Sequence, residues 1–505
     1  MDSSNHTNMN RHTHALIVGA GFSGLASAIK LQTDWNTTDY QIYDRDSEFG
    51  GTWQQNTYPG AASDIPALWY CLASDPKVDW KEPYPSQEEL RQYIKDVAEK
   101  YNLRKRATFG AEIEKVEWLA DQQMWKASIK DVATGNKYTH TSRVVFMGKG
   151  CLVVPNKFKT AGIEDFKGPI MHTAQWDHSV DYKGKNVVVI GNGCSAVQVC
   201  AAIAPEVGSL TQFARTPQWM VPRPEWKWLK TMGETFPFML GFVRFLMFLT
   251  LEANFSLFRG GWYARADRAV RTWVSTMLLK WHLPKKYHEN SIPKYELGCK
   301  RIIYDCGYWK ALHQKNVELT YDPIVRMTSN SVITKSGQEW PADIVIDATG
   351  FNVAASMGGL EIVGETGENL VDFWNGKVSA YETVMVANYP NMFFLFGPNA
   401  TTGHNSVIFA IENALKWIEN VASDLVTGSA TYVTVKNEAY DSWTQKVHEA
   451  SKKMAFSTGG CVSWYMSASG AGHNGVTYPW TQFTAWWRAR FPVKSDMIVK
   501  SKKDE

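Results

Sequence analysis

The stretch His14-Ala-Leu-Ile-Val-Gly19-Ala-Gly21-Phe-Ser-Gly24-Leu25 decides the fold class of this chain. An apolar, β-branched run ends in a glycine-rich turn and passes into a helix-forming segment, Leu25 to Gln32. Only in that strand–turn–helix context does the spacing G-x-G-x-x-G carry meaning. Gly19 makes the tight turn, Gly21 lets the backbone approach a pyrophosphate, and Gly24 lets helix and strand pack closely. The pyrophosphate then meets unpaired N–H groups and the positive dipole end of the helix. Gln41-Ile-Tyr-Asp44 reads as the next strand, and its terminal acid is placed to accept hydrogen bonds from a ribose. An acid there disfavours a 2′-phosphate.

The same logic returns at Asn186-Val-Val-Val-Ile-Gly191-Asn-Gly193-Cys-Ser195-Ala196-Val-Gln198, with Ala196 where the third glycine often sits. After it the strand Leu210-Thr-Gln-Phe-Ala ends in Arg215-Thr216, a cation and a hydroxyl in place of the acid. That exchange favours a 2′-phosphate. The ordered pair of turns therefore implies two dinucleotides: FAD, held as electron acceptor, and NADPH, the hydride donor. Residues 222–298 are rich in Trp, Phe and Leu in a helical pattern and read as a helical insertion. Asp343-Ile-Val-Ile-Asp347-Ala-Thr-Gly350-Phe351 supplies a further strand and glycine turn. The expected fold is α/β, with two Rossmann-like domains and a helical insertion. The FAD domain is expected over 13–150 plus 352–505, and the NADPH domain over 151–221 plus 299–351.

Composition narrows the function classes. A chain of 505 residues is too long for one core at about 150 residues per domain. A net charge of +3 gives no polyanion-binding footprint, so nucleic acid is not expected as a partner. Seven cysteines without a C-x-x-C pair suggest buried thiols in a reducing, cytoplasmic setting, with no disulfide scaffold and no metal site. Residues 1–12 read as a disordered tail without a signal sequence. In the apolar segment Phe236 to Glu252, Arg244 and Glu252 interrupt a run that falls short of the roughly 20 apolar residues of a span. A buried or partly interfacial helix is expected there, and no stable membrane span.

Between the two glycine turns stands Phe166-Lys-Gly168-Pro-Ile-Met-His172-Thr-Ala-Gln-Trp176-Asp177. It resembles the signature F-x-G-x-x-x-H-x-x-x-W-[PD] of the type I Baeyer–Villiger monooxygenases, a class B flavoprotein family, and the chain is closest in texture to fungal members. The resemblance implies an FAD- and NADPH-dependent enzyme. It would insert one oxygen atom of O2 next to the carbonyl of a small-molecule ketone, giving an ester or lactone, with NADP+ retained during turnover. Gly50-Gly51-Thr52-Trp53, Tyr58-Pro59-Gly60 and Asp64 look like the family segment that wraps the flavin; Tyr70 and Ile113 match further cofactor-binding positions. Gly298-Cys-Lys300-Arg301 resembles the segment G-x-K-R. Its arginine would be the catalytic cation that stabilises an anionic peroxyflavin, with Asp64 orienting it, and its lysine would reach the NADPH 2′-phosphate. By the same resemblance His172 sits at a hinge between nucleotide domains, and Trp464 is a mobile-loop residue over NADP. The loop Gly397 to Ser406 is placed to bind the pyrimidine end of the flavin, and Lys149, in Met147-Gly-Lys149-Gly150, departs from the usual A-T-G without a reason visible in the sequence.

Two alternatives remain at this level: a flavin-containing monooxygenase that oxidises nitrogen or sulfur, or an uncoupled NADPH oxidase. Arg301 and Trp176-Asp177 favour the ketone chemistry.

Overall fold

The computed structural model describes residues 11–353, 359–461 and 473–502. Arg11–Val18 is an interior strand of the first sheet, so the expected tail is too long by two residues: Arg11 and His12 pair in register with His140 and Thr141. Parallel neighbours Tyr40–Tyr43 and Lys137–Met147 flank this strand, with Ala107–Thr108 beyond the former. Ala15, Leu16 and Ile17 are fully buried, as a parallel strand covered on both faces requires. The first half of Lys137–Met147 joins an antiparallel meander with Met124–Asp131 and Ala111–Leu119. Its last three residues instead take Met392–Phe394 as a parallel partner, which brings the C-terminal part of the chain back to the first sheet.

The second sheet is wholly parallel. Its order is Val317–Thr320, Ser209–Phe213, Asn186–Ile190, Ile344–Asp347 and Ile170–His172. Both sheets anchor their glycine turns in the same way. Gly19 N–H donates to Tyr43 C=O and Gly191 N–H to Phe213 C=O, each at 2.8 Å. Gly148 N–H donates to Val18 C=O at 2.8 Å and Ala348 N–H to Ile190 C=O at 2.9 Å. The chain thus closes two α/β units of Rossmann type by one hydrogen-bond plan.

The third position of each fingerprint has a steric reason. A Cβ on Gly24 would lie 1.9 Å from Gly19 O, so the first helix admits only glycine there. The second fold has room for the Ala196 methyl, which is completely buried. Gly168 is equally constrained, because a Cβ would stand 2.1 Å from Asp343 O and 2.9 Å from the Phe166 ring. Phe166 packs with Val188 and Val345 on one face of the second sheet, and Trp176 with Val187, Val189 and Ile346 on the other. The signature segment therefore wraps the edge strand Ile170–His172 and covers both faces of that sheet.

The insertion forms the helices Lys227–Thr235, Leu240–Ala253 and Trp262–His282. Helical turns run from Pro237 to Leu257, a stretch of 21 residues, so the apolar segment is longer than expected from its charges. Unpaired thiols were expected throughout, but Cys299 and Cys461 form a disulfide. They lie 162 residues apart, a separation that leaves no local spacing signal. Cys71 and Cys200 are buried and free, as expected of structural thiols.

Candidate active site

A cavity of about 1490 Å³ opens between the two glycine turns. That exceeds the roughly 300–1,000 Å³ of a pocket for one small ligand. Gly19, Gly21 and Asp44 line it from the first unit, and Gly191, Gly193 and Ser195 from the second. Gly24 does not line it; its part is the close packing of helix on strand.

On the first side, Asp44 is oriented by two backbone donors, Ala20 N–H at 2.6 Å and Asp46 N–H at 2.8 Å. Burial pushes its carboxyl above the usual range, against the pull of those donors. The carboxylate keeps lone pairs that a ribose hydroxyl could use. Gly51, Thr52, Trp53, Tyr70 and Ile113 form the adjoining wall. The Tyr70 ring stands edge-on to Trp53 at 5.8 Å and to Phe22 at 5.6 Å, and burial raises its phenol pKa.

On the second side Lys300 Nζ donates to Thr216 Oγ1 at 2.9 Å and lies over the Tyr295 ring. Arg215, Thr216 and Lys300 all line the cavity. Burial first, then the neighbouring Arg215 charge, hold the Lys300 ammonium below the usual lysine range. Two cations brought together in this way form a site that an anion would relieve.

Where the sides meet, Arg301 Nε and a terminal guanidinium nitrogen donate to the two Asp64 oxygens, each at 2.6 Å. This two-pronged pair joins residues 237 apart, lines the cavity and stays about a quarter exposed. The fork geometry fixes the guanidinium plane as well as its position. Two residues before Arg301, the disulfide at Cys299 ties this segment to Cys461.

The units are latched beside this pair. Tyr58 O–H donates to Gln198 Oε1 at 2.7 Å and lies 3.3 Å from Ser195 Oγ, while Gln198 Nε2 donates to Ala62 C=O at 3.0 Å. A Cβ on Gly60 would come within 2.7 Å of Gln198 O, so the Tyr-Pro-Gly turn presses directly on the helix Cys194–Ile203. The amide of Gln198 is thus engaged by protein, although its residue borders the cavity.

The signature residues Phe166, Gly168, His172, Trp176 and Asp177 do not line the cavity. His172 Nδ1 accepts from Ala174 N–H at 3.0 Å, and its ring stands edge-on to Phe351, which does line it. Burial lowers the His172 pKa, opposed by Asp347. Asp177 is exposed and accepts from Ser179 N–H and Oγ–H. Trp464 lies outside the described residues.

Lys149 lines the cavity, and burial lowers its pKa. Its placement on a glycine turn at the end of a central strand was the signal available for it. Thr402, Asn405 and Ser406 reach the same cavity ahead of the helix Val407–Val426, where Ser406 caps the N-terminus through Ile408 N–H.

The flavin-binding monooxygenase-like family model matches residues 12–392. A Baeyer–Villiger monooxygenase of Pseudomonas aeruginosa is 32% identical over 95% of this chain and 89% of its own. One of Streptomyces coelicolor is 30% identical over 94% and 90%. An FAD-binding monooxygenase of the fungus Aspergillus niger is 31% identical over 90% and 77%. Among solved structures, cyclohexanone monooxygenase from Rhodococcus sp. Phi1 bound to NADP+ superposes with a TM-score of 0.83 at 25% identity, covering 98% of this chain and all of that one. With two Rossmann-type units, the signature segment and relatives matched along nearly its whole length, this chain belongs to the flavin-binding monooxygenase-like family and, within it, to the type I Baeyer–Villiger monooxygenases.

Proposed function

We propose that this NADPH-dependent flavin monooxygenase inserts one atom of O2 next to the carbonyl of an apolar ketone, and that Arg301, held by Asp64, carries the charge stabilisation. The observation behind this is the two-pronged Asp64–Arg301 pair on the wall of a cavity that both glycine turns enter.

The residues present fit both dinucleotides. The first unit has the glycine spacing, the Gly24 contact that admits no side chain, and the oriented Asp44. The second has Arg215, Thr216 and Lys300 gathered for a 2′-phosphate. We assign 11–150 with 352–505 to FAD and 151–221 with 299–351 to NADPH. When bound and reduced by NADPH, FAD supplies the activation of O2.

The chain's own part is electrostatics and positioning. As the ketone is attacked, negative charge grows on its carbonyl oxygen. A guanidinium cannot lose its proton at working pH, so Arg301 stabilises that charge without a proton transfer. Asp64 fixes the plane of the guanidinium, and Trp53 and Tyr70 wall the reacting face with rings that exclude water. His172, off the cavity wall but packed on Phe351, is a positioning residue at the junction of the two units. Lys300 and Arg215 would hold NADPH by its 2′-phosphate.

The test is turnover of purified, flavin-loaded protein with NADPH, isotope-labelled O2 and a panel of ketones, amines and sulfides. An ester or lactone carrying one labelled oxygen supports the proposal. Label found only in hydrogen peroxide, sulfoxides or N-oxides overturns it.

A further inference from the structure

In the helix Leu240–Ala253 the charges point inward with Phe248, which packs on Trp69 and Phe409, while Phe242 and Phe245 point outward. Arg244 donates to Leu68 C=O at 2.8 Å, lies 3.0 Å from Cys71 Sγ and covers the Trp69 ring. Glu252 faces His404 and Asn405 at 3.3 and 3.5 Å. Leu240, Val243, Met247 and Leu251 are buried in the core beside them. The opposite face presents Phe242, Phe245 and Leu249, about half exposed, and Phe238 in the turn Pro237–Met239 just before it is 85% exposed. Their spacing of four, three and four residues makes one stripe, and no exposed residue of this helix is charged.

The helix Trp262–His282 repeats the arrangement. Trp262, Val270, Trp273, Met277 and Trp281 recur at helical intervals along its 21 residues, with Trp262 and Trp281 more than four-fifths exposed. Exposed apolar stripes of this kind mark interaction surfaces.

Charge identifies the occupant. Residues 222–298 hold twelve Lys and Arg against six Asp and Glu, a surplus of six, whereas the whole chain has a surplus of three. The remainder of the protein is therefore net acidic, and the cations are concentrated where the apolar rings are. Lys227, Arg265, Lys280 and Lys285 are exposed among the aromatic residues. Pairing this face with itself in a symmetric dimer would oppose like charges. Aromatic rings at helix ends, apolar stripes and flanking cations suit an anionic lipid surface. Packing argues against a span: although Pro237–Leu257 is apolar and long enough, Leu240, Val243, Met247 and Leu251 lie in the protein core and Arg244 is bonded there.

We propose that the helices Leu240–Ala253 and Trp262–His282 dock flat on an anionic bilayer, with the Phe and Trp side chains at headgroup depth and the body of the protein outside. Leu240–Ala253 packs on the turn Ala67–Trp69, between cavity-lining Asp64 and Tyr70. On the oxygenation proposed above, docking would hold the ketone site close to a phase that dissolves apolar substrates; the docking itself does not depend on that activity.

Flotation of the flavin-loaded protein with phosphatidylcholine vesicles, with and without phosphatidylserine, tests this. Wild type should float with the anionic vesicles, and more weakly with neutral ones or at high salt. The variant F242S/F245S/W273S/W281S should partition at least about tenfold more weakly while retaining flavin and NADPH oxidation. K280E/K285E should lose preference for anionic vesicles but keep the neutral component. A wild type that stays unbound overturns the proposal, as does a quadruple variant that floats unchanged. If the quadruple substitution instead converts a dimer to a monomer and neither form binds vesicles, the occupant is a second copy and the lipid assignment fails.

Discussion

The hydroxyl of Tyr58 donates to Gln198 Oε1 at 2.7 Å, and this bond joins a loop of the first nucleotide-binding unit to the first helix of the second. Tyr58 is buried and its phenol pKa is raised by that burial, so it serves as a neutral donor. Tyr58→Phe should lower unfolding stability by about 1 kcal/mol through the lost bond. Because the bond spans the units, flavin reduction by NADPH should slow more than flavin retention weakens. Equal losses in both, measured by rapid-mixing absorbance and flavin release, would show that Tyr58 is merely a core residue.

Lys300 should set the preference for NADPH. Lys300→Met should raise KM for NADPH by about tenfold or more and leave that for NADH unchanged. Burial and Arg215 depress the lysine's pKa, so its charge is lost at lower pH than an ordinary lysine's. Wild-type affinity for NADPH should therefore fall as pH rises below the usual lysine range, and the variant should show no such limb. Parallel pH profiles for wild type and variant would contradict the assignment.

The disulfide makes a chemical prediction. Of seven cysteines, five should react with a thiol reagent in unfolded, unreduced protein and all seven after reduction. Cys461→Ser should cost about 2–4 kcal/mol of stability. Reductant should lower the Tm of wild type and not that of the variant; seven reactive thiols without reduction would remove the bridge from the account.

His140 governs behaviour in acid. It is 1% exposed, bonded to Thr13 Oγ1 at 2.9 Å and the Tyr43 hydroxyl at 3.1 Å, and burial lowers its pKa to about 4. A pKa depressed in the folded state means that stability is full above the unfolded value of 6.5 and is lost as pH falls toward 4. That loss should be about 3 kcal/mol, and His140→Gln should flatten it. An unchanged acid limb in the variant's unfolding curves would assign the loss to other groups.

Much of this was legible in the chain, and the illegible parts share a cause. Glycine spacing and β-branched runs are local signals, so both Rossmann units are readable directly, and close helix–strand packing requires Gly24, in keeping with the 1.9 Å contact a Cβ would make there. The Asp64–Arg301 pair spans 237 residues and was reachable only through family resemblance. The Cys299–Cys461 bridge had neither local spacing nor resemblance to reveal it. Arg244 and Glu252 misled because composition counts charges without their direction; both turn inward and leave an outer face that is apolar. The phase of Phe238, Phe242, Phe245 and Leu249 already held that information.

The central claim is that Arg301 supplies the charge for oxygen insertion, and the partition of reducing equivalents in Arg301→Ala tests it most directly. NADPH-dependent flavin reduction should stay within a few-fold of wild type, ester formation should fall about 100-fold or more, and the difference should appear as hydrogen peroxide. Ester produced at the wild-type rate by Arg301→Ala, or a loss confined to flavin reduction, would contradict the account.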